Sequence, residues 1–477
     1  LGTNASELLN LNDFIYDLAI TANRPDGMSI IGIAREISAL LETNLKIPSL
    51  SNNLNHKILK YDNFCKETIN SNCIYTISLV KNVNGKILSP DWIRDRLEKS
   101  DIKSINLLVD LTNYILLEQG QPLHAFDKDK LNKLVGREVT EKDFGLRKAM
   151  NDEKLLALDG KNYALNTNIT VVTCDNKPIA IAGIIGGMES SVSDTTKDIF
   201  IEAAVFNPSV IRQSSKEIGI RTESSSRFEK GISSKNTINA VKRIITLISE
   251  FFKIPTVNLY SSNNFETIDK KIKLRRERIH KVLGQIVISK NKSENINSSE
   301  ILTSKRFLSD IEISDKLKLI GCDILEKDYG WEVDVIANRS QDLTREIDLI
   351  EEIARLIGYD LFDQNIPYAI NSGNLKSSDK ALRKLKNNFN NVGFNEVLTY
   401  SLVSEKKERI KISNPLFSET SSLRTNLWEE HIKICNFNHK AGKESCWIFE
   451  VGNIFHTGDS FIEEQIIGGI ISGNKKY

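Results

Sequence analysis

Residues 107–127 read LLVDLTNYILLEQGQPLHAFD, and this stretch decides how the surrounding domain is interpreted. Apolar residues enclose a set of hydrogen-bonding side chains, so these polar groups are held in place instead of being spread over a solvated face. Polar groups that converge in apolar surroundings indicate a binding or reaction site. The polar members of the stretch are Thr112, Asn113, Glu118, Gln121, His124 and Asp127.

The bulk composition limits the kind of protein this chain can be. Its 477 residues exceed what one hydrophobic core holds, and a prior of about 150 residues per domain predicts roughly three or four domains. Lys and Arg total 64 against 63 Asp and Glu, so the formal net charge is +1 and any contact with nucleic acid must be local. The six cysteines show no CxxC spacing, which indicates a reducing compartment. No apolar run approaches the roughly 20 residues of a membrane span, and we expect neither a signal nor a transit peptide.

Two distant parts of the chain share one pattern. Residues 15–22 alternate like a half-buried strand, the turn NRPDG follows, and apolar residues at helical spacing begin after Ser29. Residues 331–356 repeat this order of strand, polar loop and helix. We therefore predict two small related domains. The matching triplets are Ala22–Arg24 with Ala337–Arg339, and Ile33–Arg35 with Ile353–Arg355.

The region from about 70 to 250 is predicted to form a compact α+β domain. A helix is predicted to begin at Ser89-Pro90-Asp91, which supply a cap, a proline at the first position and an acid in the first turn. The other predicted elements are strands at 169–174, 179–187 and 199–206 and a helix at 239–252.

The remaining segments are simpler. Residues 289–300 and 370–380 are polar and nearly free of apolar side chains, so we interpret them as an insert and a linker. The C-terminal part is predicted to be another α+β unit, with a helix at 382–394 and strands at 396–403 and 446–455.

Three later segments carry groups that would complete the site opened by Thr112 and His124. Residues 181–187 read IAGIIGG, and their bare backbone lets a ligand or a neighbouring strand approach closely. This GxxGG run matches neither the dinucleotide fingerprint nor the phosphate loop. Glu202 lies in the apolar strand IEAAVF, where a buried carboxylate costs free energy unless it is paired or used. Residues 221–229 supply hydroxyls beside alternating charges.

Each of these features also has an ordinary structural explanation. His124 could be a hydrogen-bonded structural histidine. Glu202 could pair with Arg227 or Arg221. The glycines could form a tight turn.

An acidic cluster lies in the second copy of the repeated pattern. On a helix, Asp348 meets Glu351 and Glu352 at i+3 and i+4, so like charges crowd one face unless a cation intervenes. Together with Asp342 these acids offer the oxygen ligands that magnesium prefers. The alternative is a solvated helix start whose acids favour the helix dipole and pair with Arg345 or Arg355.

The segments described above, in this order and at these separations, closely resemble bacterial and organellar phenylalanyl-tRNA synthetase β subunits. The C-terminal segments ISNPLFSETSSLRTNLW and IFEVGNIF match the class II synthetase-like domain of the same family. The resemblance implies a multi-domain α+β fold, in which two small related winged-helix-like domains flank an α+β editing domain and a class II synthetase-like antiparallel-sheet domain follows. The implied bounds are 1–60 for the N-terminal small domain, 70–250 for the tRNA-editing domain, 268–368 for the acidic magnesium-binding small domain and 376–477 for the truncated class II-like domain.

The resemblance also implies roles for individual residues. In this family the first constellation hydrolyses tyrosine wrongly attached to the phenylalanine tRNA, because an apolar pocket cannot strongly reject a ligand that only adds a hydroxyl. Glu202 would accept the tyrosine phenol, while His124 and Thr112 would orient the terminal adenosine, the ester and the attacking water. The remaining implied positions are Ala182 and Gly183 in the backbone wall, Thr222 and Ser224 at the rim, and Asp342, Asp348, Glu351 and Glu352 as magnesium ligands.

Three positions temper these expectations. Lys103 stands where the family usually has an arginine, and lysine cannot make a planar two-pronged contact, so nucleic acid should be held less firmly there. Ser224 stands where alanine is common, so editing could be impaired. In the C-terminal domain no arginine follows Glu450 to neutralise a triphosphate, so we expect that domain to be catalytically silent.

The resemblance thus implies the β subunit of a phenylalanine-tRNA ligase. It would work in an (αβ)2 heterotetramer with an α subunit that binds ATP and phenylalanine, with Mg2+ as cofactor and tRNA(Phe) as partner, and without a membrane. The Ile-, Asn- and Lys-rich composition favours a plastid stroma, with a bacterial cytoplasm as the alternative. The chain begins with Leu1, and we expect an oligonucleotide-binding barrel before it and an anticodon-binding domain after Tyr477. Alternatives are a non-catalytic RNA-binding or scaffold subunit with an inactive pocket, and a metal hydrolase using the acidic cluster.

Overall fold

The structure is a computed structural model, and it describes residues 5–8, 13–50, 54–58, 73–262, 271–290, 302–364, 373–458 and 460–473. The chain divides into two compact units, Leu1–Gln364 and Asn365–Tyr477. Helices and strands mix throughout both units, which confirms the predicted α+β class.

The first unit contains the following elements. Its helices are α1 (Ala5–Leu8), α2 (Ile30–Leu40), α3 (Asp91–Lys99), α4 (Leu107–Gln119), α5 (Lys128–Val135), α6 (Pro208–Ile218), α7 (Glu223–Lys230), α8 (Ser234–Phe251), α9 (Arg276–Leu283), α10 (Asp310–Leu319) and α11 (Glu346–Ile357). Its strands are β1 (Leu54–Ile58), β2 (Ile74–Val80), β3 (Leu123–Asp127), β4 (Phe144–Lys148), β5 (Lys154–Leu156), β6 (Asn162–Ala164), β7 (Thr170–Cys174), β8 (Lys177–Ile181), β9 (Ile185–Gly186), β10 (Ile199–Val205), β11 (Val257–Ser261), β12 (Ile272–Arg275), β13 (Ile286–Lys290), β14 (Leu302–Arg306), β15 (Asp323–Lys327) and β16 (Gly330–Asp334).

A five-stranded sheet in the order β1-β11-β2-β10-β3 organises the first unit. Strand β10 lies between β2 and β3 and pairs antiparallel with both. All seven of its residues are buried, because one core of apolar side chains covers each face of the sheet. A strand covered on both faces reads as a nearly continuous apolar run, and Glu202 is the one charged residue in it.

The opening stretch of the sequence forms α4 and β3. Asn106 caps α4 by accepting a hydrogen bond from the backbone N–H of Val109, and Gly120 ends the helix in the left-handed conformation at φ 74°. The helix is buried on most sides, since it packs against α8 and β3. These boundaries place β3 at the edge of the five-stranded sheet beside β10.

A second sheet, in the order β4-β7-β8-β9, carries the glycine-rich segment. Strands β8 and β9 are antiparallel neighbours joined by residues 182–184. Gly183 occupies this turn at φ 68°, a conformation that side-chain-bearing residues rarely adopt. Gly183 therefore lies in a tight turn, which is the ordinary structural explanation considered for these glycines.

The structure repeats only a part of the predicted pattern. A short 3-10 turn followed by a helix recurs, at 25–40 and again at 337–357. The strand predicted for residues 15–22 is wrong: these residues form no strand, and the side chain of Tyr16 among them is 81% exposed. Alternation alone did not make a strand because no partner strand lies beside it in the described part of the chain.

Two other boundaries differ from the sequence prediction. Helix α3 begins at Asp91 without a side-chain cap, because the hydroxyl of Ser89 donates instead to Asp110. The strand predicted for 396–403 is largely wrong, since only residues 395–396 and 402–403 form strands. Most of the predicted insert, residues 291–300, lies outside the described residues.

The second unit is built on one long antiparallel hairpin. Strands β20 and β21 pair along all twelve residues of each, and β17 joins β20 in parallel. Its elements are α12 (Ser377–Asn391), β17 (Asn395–Glu396), β18 (Leu402–Val403), β19 (Ser422–Leu423), α13 (Trp428–Lys440), β20 (Cys446–Thr457) and β21 (Phe461–Ser472). In neither unit does a described helix have the length and apolar character needed to cross a membrane.

Candidate functional site

A cavity of about 70 Å³ lies where β3, β10, the β8–β9 hairpin and α7 meet. Four of the residues singled out from the sequence line it: His124, Gly183, Glu202 and Ser224. They come from four segments spread over about 100 residues of sequence. The fold therefore brings four of the seven predicted pocket residues to one cavity.

His124 and Glu202 are direct neighbours across the pairing of β3 and β10. Residues opposite each other in an antiparallel pair place their side chains on the same face of the sheet, with Cβ atoms about 5 Å apart. An imidazole and a carboxylate therefore face one cavity from adjacent strands.

Glu202 is buried without a cationic partner. The hydroxyl of Tyr75 donates to its Oε2 at 3.0 Å, and burial raises the pKa of the Glu202 carboxyl to about 7 although the Tyr75 hydrogen bond opposes that shift. The alternative of an ion pair with Arg227 is wrong, because Arg227 binds Glu223 and the carbonyl of Met28. Within the ranges that the structure describes, the carboxylate at the centre of β10 thus has no ion pair.

The His124 imidazole is held against Phe126, with ring centroids 4.5 Å apart and an edge-to-face arrangement. Its Nε2 is shielded from solvent and has no hydrogen-bond partner within the described residues. Burial lowers the pKa of His124 to about 4, so the ring is neutral at physiological pH. A buried ring nitrogen without a partner favours a binding role over a purely structural one.

Gly186 fixes how closely the backbone approaches the imidazole. A Cβ at this position would lie 2.4 Å from Cε1 and 2.6 Å from Nε2 of His124, so no side chain fits. The sequence pointed to Ala182 and Gly183 as the backbone wall. Ala182 lies in the core and does not line the cavity, and Gly183 packs against the side chains of Phe206, Ile211 and Phe228.

The hydroxyls predicted for the rim have different surroundings. Thr222 caps α7 and donates to the carbonyl of Ile184 at 2.9 Å, which ties this helix to the β8–β9 hairpin. Ser224, in the first turn of α7, lines the cavity. Thr112 donates to the carbonyl of Val109 in its own helix and does not line the cavity.

Other polar residues of the opening stretch hold the fold together. Glu118 forms an ion pair with Arg243 at 2.9 Å. Gln121 donates to the carbonyl of Ala204, next to the site on β10, and accepts from Thr237. In the sequence, Glu118 and Gln121 were polar residues in apolar surroundings, as His124 was. In the structure their side chains bind residues that hold the fold together.

The acidic cluster lines one cleft of about 620 Å³, which contains Asp342, Asp348, Glu351 and Glu352. Asp348 caps α11 through Arg345, and Glu352 accepts from Arg339 and Arg355. No three or more His, Cys, Asp or Glu side chains in the described ranges are arranged to hold a metal. The donor atoms suit magnesium; Asp342, Asp348 and Glu352 bind arginines in this structure, and the assignment of the four acids as magnesium ligands stays a prediction.

Arg339 is the centre of a buried ionic network that sequence reasoning missed. It is 2% exposed and binds Asp342 at 2.7 Å and Glu352 at 2.9 Å. Glu36 lies 3.4 Å from Arg339 and also binds Arg24 at 2.6 Å, so residues 24–36 are joined to residues 339–355. The signal was present in the sequence, because Arg24 and Arg339 occupy equivalent positions in the repeated triplets.

Glu352 shows how strongly the network is charged. Burial raises the pKa of its carboxyl, but hydrogen bonds from Arg355 and Arg339 outweigh burial and lower the pKa to about 2. At Asp342 the balance is reversed. The effect of burial exceeds that of the Arg339 hydrogen bond, so the pKa of this carboxyl is raised.

Three family models match successive parts of the chain. One is described as a B3/4 domain and matches residues 71–253, and one is described as a tRNA synthetase B5 domain and matches residues 272–359. The third is described as a phenylalanyl tRNA synthetase beta chain CLM domain and matches residues 365–477. The candidate cavity lies within the B3/4 match, and the acidic cleft is formed largely by residues of the B5 match.

Curated relatives match the whole chain. A phenylalanine-tRNA ligase beta subunit of Prochlorococcus marinus subsp. pastoris is 61% identical over 478 residues, which are 100% of this chain and 58% of that protein. The beta subunit of Parasynechococcus marenigrum is 39% identical over 100% of this chain and 57% of that protein. The chain belongs to the phenylalanyl-tRNA synthetase beta subunit family. It spans a little under three fifths of the length of these relatives.

One solved structure is similar at a lower level. It is an N-terminal fragment of the phenylalanyl-tRNA synthetase beta subunit from Pyrococcus horikoshii, with 16% identity and a TM-score of 0.36, covering 72% of this chain and 86% of that chain. This likeness is too weak to bear on the site of the present family member.

Gly186→Ala tests the close approach of backbone to imidazole in this beta subunit chain. The added methyl must displace the His124 ring, so we expect altered His124 ring signals in heteronuclear NMR and a loss of about 1–3 kcal/mol in the free energy of unfolding. Gly373→Ala is the control, because a Cβ there meets no atom within 4 Å. Unchanged His124 signals in the Gly186 variant would contradict the described contact.

Arg339→Ala tests the buried ionic network. Removing one partner leaves buried carboxylates unpaired, so we expect the free energy of unfolding to fall by about 3–5 kcal/mol in chemical denaturation. Arg345→Ala is the matched control, since that side chain is 73% exposed and its pair with Asp348 is worth about 0–1 kcal/mol. Equal losses in the two variants would show that the network contributes no more than a surface pair.

Proposed function

We propose that the cavity between β3 and β10 hydrolyses tyrosine esterified to the phenylalanine tRNA. The observation that carries this proposal is the cross-strand pairing of His124 with Glu202, both lining one cavity. The names of the relatives support it, because a phenylalanine-tRNA ligase must keep tyrosine, which differs from phenylalanine by one hydroxyl, out of its product.

Glu202 supplies the chemical test for that hydroxyl. A site that hydrogen-bonds a substrate hydroxyl discriminates against the analogue lacking it by about 10⁴ to 10⁵-fold, since its buried polar group is otherwise left unpaired. Glu202 is buried, carries no cationic partner and lines the cavity, so its carboxylate can accept the phenol of a tyrosyl ester. The phenyl ring of a phenylalanyl ester offers it no donor.

His124 acts on the ester and on water. A neutral imidazole has one donor and one acceptor nitrogen, and the Nε2 of His124, which has no partner among the described residues, is available to a group bound in the cavity. In the acceptor tautomer it takes a hydrogen bond from the attacking water and orients that water toward the ester carbonyl. Ser224 in the first turn of α7 adds a hydroxyl donor beside the developing negative charge.

The cavity must open when the ester binds. Its volume of about 70 Å³ is below the roughly 300–1,000 Å³ of ligand pockets. The β8–β9 hairpin and the start of α7 are joined through Thr222 and Ile184, so these two walls move together. Thr112, Ala182 and Thr222, which the sequence also placed in the pocket, lie outside the cavity lining in this closed form.

Aminoacylation itself is proposed for an α subunit that binds ATP and phenylalanine, with this chain as its partner in an (αβ)2 assembly. In the second unit, Arg424 is bound to Glu450 at 2.9 Å and to Thr399, so this buried arginine is not free to neutralise a triphosphate. Apolar side chains on the surface of the same unit, Leu398 and Tyr400, are each 84% exposed and offer contacts to a partner.

The relatives and the composition support a proposal for the compartment. The named relatives are cyanobacterial, and plastids derive their translation apparatus from that lineage, so we propose a plastid stroma with a bacterial cytoplasm as the alternative. Mg2+ is proposed as the cofactor of the complex, with Asp342, Asp348, Glu351 and Glu352 as the ligands that this chain offers.

Glu202→Ala and His124→Ala test the editing proposal in the assembled synthetase. We expect each to lower the rate of Tyr-tRNA(Phe) hydrolysis by about 10²-fold or more, because each removes a group that acts on the phenol or the water. The rate is measured with radiolabelled Tyr-tRNA(Phe), and Glu98→Ala on the exposed face of α3 is the control. Identical hydrolysis rates in the wild type and all three variants would contradict the editing proposal and favour a non-catalytic scaffold.

Leu398→Lys and Tyr400→Lys test the proposed partner surface. Each should reduce co-purification of the α subunit and Phe-tRNA formation by about tenfold or more, because a buried apolar contact of about 1.5–3 kcal/mol is replaced by a charge. Leu40→Lys, at a position 61% exposed in the first unit, is the control. A full-length form of this chain that gives no Phe-tRNA with saturating α subunit would exclude the proposed assembly.

A further inference from the structure

We propose that Tyr75 is a positioning residue for this hydrolysis: its hydroxyl fixes one oxygen of Glu202, so that the other oxygen faces the bound amino-acid side chain. The inference rests on the proposed editing function and adds a residue that determines its specificity. Tyr75 does not line the cavity, so it acts through Glu202 and not on the ester itself.

Strand register places Tyr75 behind Glu202. Tyr75 pairs with Ala204 across β2 and β10, which makes it a diagonal neighbour of Glu202 on the same face of the sheet. His124 approaches Glu202 on that face from the opposite side, on β3. Tyr75, Glu202 and His124 therefore form a row across three adjacent strands.

The contact between the two side chains is short and buried. The Tyr75 hydroxyl donates to Oε2 of Glu202 at 3.0 Å, and the two residues are 1% and 7% exposed. Among the described residues Tyr75 is the only side chain that donates to Glu202, and Oε1 accepts no hydrogen bond there. A glutamate side chain ends in a torsion with broad preferences, so one fixed oxygen decides where the other points.

The anchor has the same chemistry as the group to be recognised. A carboxylate has about four lone-pair sites on its two oxygens, so it can accept one phenol at Oε2 and a second at Oε1. The Tyr75 hydroxyl is a permanent part of the wall, whereas the tyrosyl ester brings the second phenol. A phenylalanyl ester leaves Oε1 without a donor.

The charge of Glu202 depends on few groups. Tyr75 faces it from β2 and neutral His124 from β3, while α7 contributes Ser224 and Phe228 to the cavity and the β8–β9 hairpin contributes no charged side chain. Burial raises the pKa of Glu202 to about 7, and the Tyr75 hydrogen bond lowers it. Loss of that bond raises the pKa further, so the acceptor becomes protonated at a higher pH.

Tyr75→Phe in the assembled synthetase tests the inference. We measure hydrolysis of Tyr-tRNA(Phe) and Phe-tRNA(Phe) between pH 6 and 9, after circular dichroism confirms folding. The preference for the tyrosyl ester at pH 7 should fall by about tenfold or more, as expected for the loss of a hydrogen bond to a charged group. The pH at which wild-type preference declines on acidification should move upward in the variant.

Two further variants separate positioning from structural support. Tyr329→Phe is the matched control, because its hydroxyl also donates to a glutamate, Glu332 at 3.4 Å, in another part of the fold, and it should leave preference and pH profile unchanged. In a Glu202→Ala background, Tyr75→Phe should have no additional effect if Tyr75 acts only through Glu202.

The outcomes are distinguishable. A wild-type synthetase that does not hydrolyse Tyr-tRNA(Phe) overturns the proposed function. An active wild type combined with a Tyr75→Phe variant of unchanged preference and pH profile overturns the role of Tyr75 alone. A further loss of activity when Tyr75→Phe is added to Glu202→Ala also overturns it, because the tyrosine would then support the fold.

Discussion

The first unit depends on the burial of one carboxylate in the middle of its central sheet. Glu202 lies on β10, between β2 and β3, and every residue of that strand is buried. Such a group costs free energy that a hydrophobic residue would not cost, and no cation from the described part of the chain offsets it. The neighbouring strands supply a phenol on one side and an imidazole on the other, so the sheet is arranged around this group. A site that a protein maintains against such a cost is expected to be functional.

The sequence predicted the members of the cavity whose chemistry is visible without their neighbours. A carboxylate inside IEAAVF and a histidine after an apolar helix stand out against their local pattern, and both line the cavity. Gly186 could not be distinguished from Gly183 or Gly187 in the run, because only the folded hairpin shows which one faces the imidazole. Thr112 shared the local pattern of His124, but a serine or threonine in a helix can satisfy its hydroxyl on its own backbone, and Thr112 does so.

The acidic cleft shows which contacts could not be predicted from local sequence. Helical spacing grouped Asp348, Glu351 and Glu352, and all three line one cleft together with Asp342. The sequence also offered Arg345 and Arg355 as partners, but it could not show that Arg24 and Glu36 join Arg339, because each is more than 300 residues away from it. Arginine has a planar fork that binds two carboxylates at once, and Arg339 uses it for Asp342 and Glu352. Local sequence patterns do not show which charged residues pair when they are far apart in the chain.

The ionic network has a consequence for biosynthesis. Glu36 in α2 acquires Arg355 as a partner across 319 positions of sequence. At a translation rate of about 5–20 residues per second, α2 waits roughly 16–64 seconds on the ribosome before that partner has been made. During this interval the Glu36 carboxylate has Arg24 as a partner but lacks Arg355, so its ion-pair network is incomplete. The final arrangement of residues 24–36 is therefore set only after Arg355 has been made.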